Sequence, residues 1–366
     1  MVERAVETYQ TVSGAAAVNA SAAKTRKHEK LRWLGGGAAA IAGAFLFAWS
    51  IRRAGAEAVL SGVARVGGGF AVVFLLGGTR HLVRTLAWTL CLEPPHRLGI
   101  GRAFAAYLAG DSIGNVTPFG FLISEPAKVV LVRDRVPPTA SIAALAVENL
   151  IYSATVVVLL VAGTAALLLS FPVPGAVRAA SLGALGGALL VSAVAAWVGM
   201  TRRPVASNVL SHLIRRNIWR RRLEAQLTRV RDVEDRIFGF VGRHRRRVLP
   251  ILGLEAAFHA SGVFEIWFTL RSITGTAPPV LTAFVLEYVN RTITSVFQFV
   301  PMWLGVDEAG TGVVASVLHL GPAAGVSLAL VRKARVIAWT AIGIALLMKR
   351  GLSIGRAVHE AEEVQR

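Results

Sequence analysis

Apolar runs of about 20 residues, the length that crosses a hydrocarbon core, recur along this chain and constrain it more than any other feature. They cover roughly 34–51, 68–92, 139–169, 177–198, 248–270 and 322–348. Lipid offers the backbone no hydrogen-bond partner, so only helices or closed barrels can span it. Runs this continuous lack the alternation of a barrel strand. The chain therefore reads as an all-α, polytopic integral membrane protein with about six full crossings. A hydrophobic share of 54% against 17% charged residues agrees with that reading.

The formal net charge of +19 raises the question of nucleic acid. Arg and Lys collect between the apolar runs, however, where the positive-inside rule places them in the cytoplasm. No nucleic-acid partner is expected. Cys91 is the single cysteine, which excludes an intrachain disulfide and a cysteine metal cluster. No metal and no cofactor are predicted. The first apolar run begins beyond Trp33, too late and too long for a secretory signal peptide.

In chain order, residues 1–33 predict a disordered basic cytoplasmic tail, ending in Lys24, Arg26, Lys27, Lys30 and Arg32. Residues 34–67 hold a first transmembrane helix and a loop, and 68–170 a first repeat. Residues 171–247 hold a connecting crossing and a polar insert, Thr201–Arg247, with 14 Arg against Glu224, Asp232, Glu234 and Asp235. A second repeat spans 248–350, and 351–366 is a cytoplasmic tail. The insert predicts amphipathic helix on an anionic lipid surface. A plain positive-inside anchor is the simpler alternative.

Two stretches break the membrane-helix pattern. In the first, Asp111 to Arg135, Pro118, Gly120 and Pro126 interrupt the backbone while Asp111, Asn115, Glu125 and Lys128 add polarity. In the second, Thr294 to Gly321, Gln298 stands three positions before Pro301, as Asn115 does before Pro118. Glu125 and Glu308 each follow their proline by seven. These are expected to be re-entrant or broken helix pairs, one in each of two repeats of inverted topology. Secondary transporters build midplane substrate sites from such helices. Irregular backbone at that depth requires burial in protein or a wet cavity.

Charges inside the membrane are costly and mark function by default. Asp111 and Asn115, four apart, share a helical face. Glu287 and Arg291 have the same spacing and read as a structural ion pair. Glu125, Asp307 and Glu308 lie beside helix breaks, where exposed backbone donors bind anions or stabilise a carboxylate. Glu148 lies 11 residues after Pro137, and Lys333 lies 11 after Pro322. Glu148 is thus expected to face Arg332 and Arg335 across the cleft, with Lys333 turned elsewhere. An inter-repeat salt bridge without a ligand is the plain alternative. Glu255 and His259 resemble a helical metal pair, but no third ligand has suitable spacing, and a hydrogen-bonded core histidine explains them.

These residues resemble the flippase-like transmembrane domain of lysylphosphatidylglycerol synthases and its stand-alone relatives, over roughly Gly68 to Arg350. The family's Asn–Pro segment and Gly-Glu-x-x-Arg signature are matched by Asn115, Pro118, Ser124, Glu125 and Lys128, with Ser124 in place of the glycine and Lys128 in place of the arginine. Its Pro, Gly and acid–Glu pattern is matched by Pro301, Gly305, Asp307 and Glu308. Asn149 and Tyr152 replace the usual partners of Glu148, which marks a divergent member. The resemblance implies translocation of a polar-headed phospholipid or polyprenyl-linked lipid between leaflets. No long soluble region follows Met348, so lipid aminoacylation is not expected. The membrane lipid itself is the expected partner, and a homo-oligomer is compatible with such a chain.

Two other readings compete: an integral-membrane transferase acting on lipid, and a non-catalytic subunit of a lipid-synthesis complex. An Asp-rich metal motif, a nucleophile–His–acid set and a phosphate loop are all missing from the sequence, which favours a transporter over an enzyme. The expected location is the plasma membrane, with both termini and the insert cytoplasmic. Single cysteines at Ser207, Ser272 and Ser353 in a Cys91→Ala background test this. An impermeant thiol reagent added to intact cells should label only Ser272Cys; labelling of Ser207Cys would overturn the topology.

Overall fold

The computed structural model describes residues 41–117, 120–201, 204–216 and 220–349. Pro118 and the two expected tails, 1–33 and 351–366, lie outside the described residues. The described residues are helical, without a strand. In order they form α1 (41–54), α2 (Ala56–Val66), α3 (Phe70–Cys91), α4 (Ile100–Val116), α5 (Phe121–Val132), α6 (Pro138–Ser170) and α7 (Gly175–Thr201). Then come α8 (Val205–Arg215), α9 (Arg220–Arg243), α10 (Arg245–Thr274), α11 (Val280–Val296), α12 (Val306–Val317) and α13 (Pro322–Lys349).

Among the described residues, four segments are long and apolar enough to cross a membrane: Ala56–Cys91, Pro138–Ser170, Gly175–Val194 and Arg245–Thr274. Helix α13 has the length, at 28 residues, but carries Arg332, Lys333 and Arg335 in its middle. One sequence expectation needs correction. The stretch before residue 68, expected to be a loop, is helix α2. Its one buried face, Val59, Gly62 and Val66, packs on α13 and α10, and that partner surface is what the sequence could not show.

Prolines and glycines set the boundaries. A residue before proline is pushed out of the helical region. Thr117, which precedes Pro118, accordingly ends α4 in an extended conformation, φ −102° and ψ 138°. Pro138 and Pro322 open α6 and α13, where a missing N–H costs nothing. Gly275 closes α10 in the left-handed region at φ 79°. The first broken pair is 17 and 12 residues long (α4, α5), and the second repeats those lengths (α11, α12). Each pair stands between long helices, α3 and α6 or α10 and α13.

The long helices pass through two apolar cores with a charged belt between them. On α3, Val73 belongs to one core and Ala87, Trp88 and Cys91 to the other, with Arg80 and Arg84 between. Glu148 divides α6 in the same way, Glu255 divides α10, and Arg332 to Arg335 divide α13. Helix α3 packs on α10, α4 on α13, and α6 on α11.

The polar insert forms α8 and α9, joined by bonding between Ser207 and the Glu234 carboxylate. Phe240 on α9 is buried in the core at the α3 C-terminus. Glu93 just beyond α3 gathers Arg243 at 2.9 Å, His244 at 3.2 Å and Arg236 at 3.6 Å. Arg247 donates to the Leu92 carbonyl at 2.8 Å, satisfying an orphan acceptor at the helix end. The insert is thus fixed to the helix that carries the belt's central arginines.

Close helix approach depends on small residues. A Cβ on Gly343 of α13 would lie 2.7 Å from the Leu108 carbonyl oxygen of α4 and would also strike Ser112. Gly343→Val should therefore cost about 1–3 kcal/mol, the usual penalty of overpacking, read as a lowered Tm in detergent. Gly187→Val, on α7 with open space around it, should leave Tm unchanged.

Candidate functional site

Most belt cations are held by carboxylates from other helices. Arg84 of α3 grips Glu148 of α6 with two nitrogens, at 2.8 Å and 3.1 Å. It also bonds the Tyr107 hydroxyl and Asn149, at 3.0 Å and 3.1 Å, and approaches Glu255 of α10 at 3.6 Å. Its guanidinium lies 3.8 Å from the Tyr152 ring centre. One turn away, Arg80 reaches Glu265 and Glu287, both at 3.5 Å. Arg291 pairs with Glu287 at 2.9 Å and donates to the Tyr152 hydroxyl at 3.2 Å.

The broken pairs carry their own charge groups. Lys128 of α5, 1% exposed, bonds Asp111 of α4 at 2.9 Å and Glu125 at 2.8 Å. His81 approaches the other side of Asp111 at 3.6 Å. In the second pair, Gly305 at φ 83° starts α12, and Glu308 accepts its backbone N–H at 2.8 Å. The same carboxylate holds Lys333 at 2.6 Å. This reach back to the N-terminus is the N3 half of a capping box. Asp307 accepts from Thr311 at 3.2 Å and from Asn290 at 3.4 Å. Between α11 and α12, Met302 and Trp303 adopt positive φ, 51° and 52°, a conformation costing non-glycine residues about 1–2 kcal/mol each.

A cavity of about 400 Å³ opens within this belt, between the two broken pairs. Asp111, Asn115, Gln298, Pro301, Asp307, Arg332 and Arg335 line it, as the sequence grouped them. Glu125, Lys128, Glu148 and Glu308 do not line it; Lys128, Glu148 and Glu308 stand behind and hold Asp111, Arg84 and Lys333, which do, and Glu125 holds Lys128. Pro118 lies outside the described residues. Apart from Lys128 the belt cations thus face the cavity, and most of the acids form a layer behind them.

Two expected facings are corrected. Glu148 does not look across the cleft at Arg332 and Arg335, because Arg84 on the intervening α3 takes both its oxygens. Lys333 does line the cavity, tied to Glu308 and to the Trp303 carbonyl at 3.3 Å. His259 is hydrogen-bonded to Thr155 at 3.1 Å and stacked on Tyr152, and Glu255 is turned to Arg84. Among the described residues no three metal-ligating side chains converge.

Sequence reasoning left Arg80, His81, Arg84 and Arg291 out of the site, yet all four line the cavity. The signal was present in Arg80 and Arg84, two arginines one turn apart within an apolar run.

Long apolar helices around a charged internal cavity define a class, the multi-pass helical membrane protein with a polar site among its helices. Residues 33–343 match the model of the lysylphosphatidylglycerol synthase TM region, and the chain belongs to that family. No curated protein and no solved structure matches the chain.

Breaking one buried pair should cost more than removing it whole. Arg84→Met leaves Glu148 buried without its partner, a loss of about 3–5 kcal/mol for pairs of this kind. The double variant Arg84→Met/Glu148→Leu should recover much of that loss. Thermal unfolding of the four proteins in a double-mutant cycle measures the coupling.

Proposed function

We propose that this protein is a lipid translocase, moving a polar-headed phospholipid or polyprenyl-linked lipid between leaflets. The observation that carries the reading is the charged cavity of about 400 Å³ between two broken helix pairs, inside a protein of a lipid-handling family. A charged headgroup crossing a bilayer needs a polar path, because its passage through hydrocarbon is costly. The chain's own side chains supply that path while its apolar helices face lipid.

The mechanism follows from inverted repeats, residues 68–170 and 248–350, whose broken pairs approach the site from opposite faces. Their matched lengths and their exchange of partners, α4 with α13 and α6 with α11, support this arrangement. Rocking one repeat against the other would expose the cavity to each leaflet in turn. Asp111, Asn115, Gln298, Asp307, Arg332 and Arg335 would touch the headgroup. Glu125 and Glu308 would act through Lys128 and Lys333, which they hold. The role is transport rather than catalysis.

In this reading the protein lies in the plasma membrane with its insert and termini in the cytoplasm. Arg215, Arg216, Arg229, Arg231, Arg245 and Arg246 are exposed on the insert and the start of α10 and would rest against anionic headgroups.

Purified protein in proteoliposomes should move fluorescent phospholipid across leaflets faster than protein-free vesicles. Glu125→Gln and Glu308→Gln should each return the rate to that background while the protein stays folded. Wild-type protein at background rate for phospholipid and polyprenyl lipid alike would overturn the function. Both variants at the wild-type rate would overturn the paired-acid mechanism alone.

A further inference from the structure

We infer that the cavity takes a phosphomonoester headgroup, held as a dianion by Arg80, Arg291, Arg332 and Arg335. The inference rests on the translocase reading for its lipid source, and on charge geometry for its chemistry.

Four guanidiniums share two carboxylates here. Glu265 is approached by Arg335 at 2.9 Å, Arg80 at 3.5 Å and Arg332 at 4.0 Å. Glu287 serves Arg291 at 2.9 Å and Arg80 at 3.5 Å. Two positive charges are left without a carboxylate of their own. Elsewhere in the belt the balance runs the other way, with Glu148 and Glu255 on Arg84, Asp111 and Glu125 on Lys128, and Asp307 and Glu308 beside the single Lys333. The unmet positive charge is therefore local to the four arginines.

Arg332 shows where the ligand is missing. It is 4% exposed, lines the cavity, and its Nε and Nη1 have no hydrogen-bond partner among the described residues. The long contact to Glu265 is its single ion pair among the described residues. A buried guanidinium left this way is costly, and phosphate oxygens match its planar fork of donors. The Phe258 ring, 4.4 Å from Arg80 and 5.2 Å from Arg291, forms an apolar wall beside them.

The charge count selects among phosphates. A phosphomonoester carries about −1.5 to −2 at neutral pH and meets the whole deficit. A phosphodiester carries one charge and leaves half of it. A zwitterionic headgroup would also need an acid for its amine. Asp111 is already held by Lys128 and His81, while Asp307 lines the cavity and its partners among the described residues, Asn290 and Thr311, are neutral. Binding of an amine there is the alternative outcome.

The test measures binding to the purified full chain in detergent, by native mass spectrometry and thermal shift. The probes are short-chain phosphatidic acid, phosphatidylglycerol and phosphatidylethanolamine, with glycerol 3-phosphate and inorganic phosphate as soluble arms. Phosphatidic acid should bind about tenfold tighter than either other lipid, the worth of one charge-assisted hydrogen bond. Arg332→Gln should erase that preference without lowering Tm, since its Nε and Nη1 have no hydrogen-bond partner among the described residues and its ion pair is long. Glu265→Gln, which enlarges the positive excess, should keep the preference.

Equal binding of the three lipids, or a preference that survives both Arg332→Gln and Arg335→Gln, overturns the inference. Glycerol 3-phosphate binding as tightly as phosphatidic acid supports the subsite and assigns it to soluble phosphomonoesters. Phosphatidic acid preference without any translocation in vesicles leaves the subsite standing and removes the translocase reading. Translocation with no phosphatidic acid preference does the reverse.

Discussion

Cross-helix pairing of buried charges is the constraint on which this structure depends. A lone arginine or glutamate among apolar helices would be expelled or neutralised, so each must find its opposite, for most of them on another helix. Arg84 joins α3 to Glu148 on α6 and Glu255 on α10, and Arg80 joins the same helix to Glu265 on α10 and Glu287 on α11. Helix α3 is therefore held from several sides at one level. The apolar cores above and below the belt supply burial without direction, and the ion pairs supply the alignment.

The same pairing produces the cavity. Long arginine side chains reach inward from α3, α11 and α13, and short carboxylates hold them from behind. The space among the tips is lined by donors, which apolar side chains cannot fill. Breaks in the backbone complete the wall: the turn at Pro301 to Trp303 faces the cavity, and its Trp303 carbonyl accepts from Lys333. Glu308, at the start of α12, holds the other side of that lysine. A helix start, a turn and an ion pair are thus one unit.

Much of the architecture was legible because its causes are local. Apolar length announced the helices, prolines announced their ends, and the break after Pro301 announced that Glu308 lies beside a helix start. The Glu287–Arg291 pair, four apart on one helix, could be read from spacing and forms at 2.9 Å. What spacing could not supply was the partner of a residue whose partner lies far along the chain. Asp111 and Lys128 could be grouped from one segment, but Arg84 and Glu255 are joined only by the crossing of α3 and α10.

By itself, the sequence determined a helical membrane protein, its breaks, and the set of charges that had to be buried together. The periodicity of helices and the composition of lipid leave a chain of this hydrophobicity little else. The tertiary structure alone decided which charge faces the cavity and which stands behind it. Glu148 looked like a headgroup ligand from its register with α13, yet α3 lies between them and Arg84 takes it. Rotation of a helix about its own axis and the choice of its neighbour are set by packing, and packing is a property of all the helices at once.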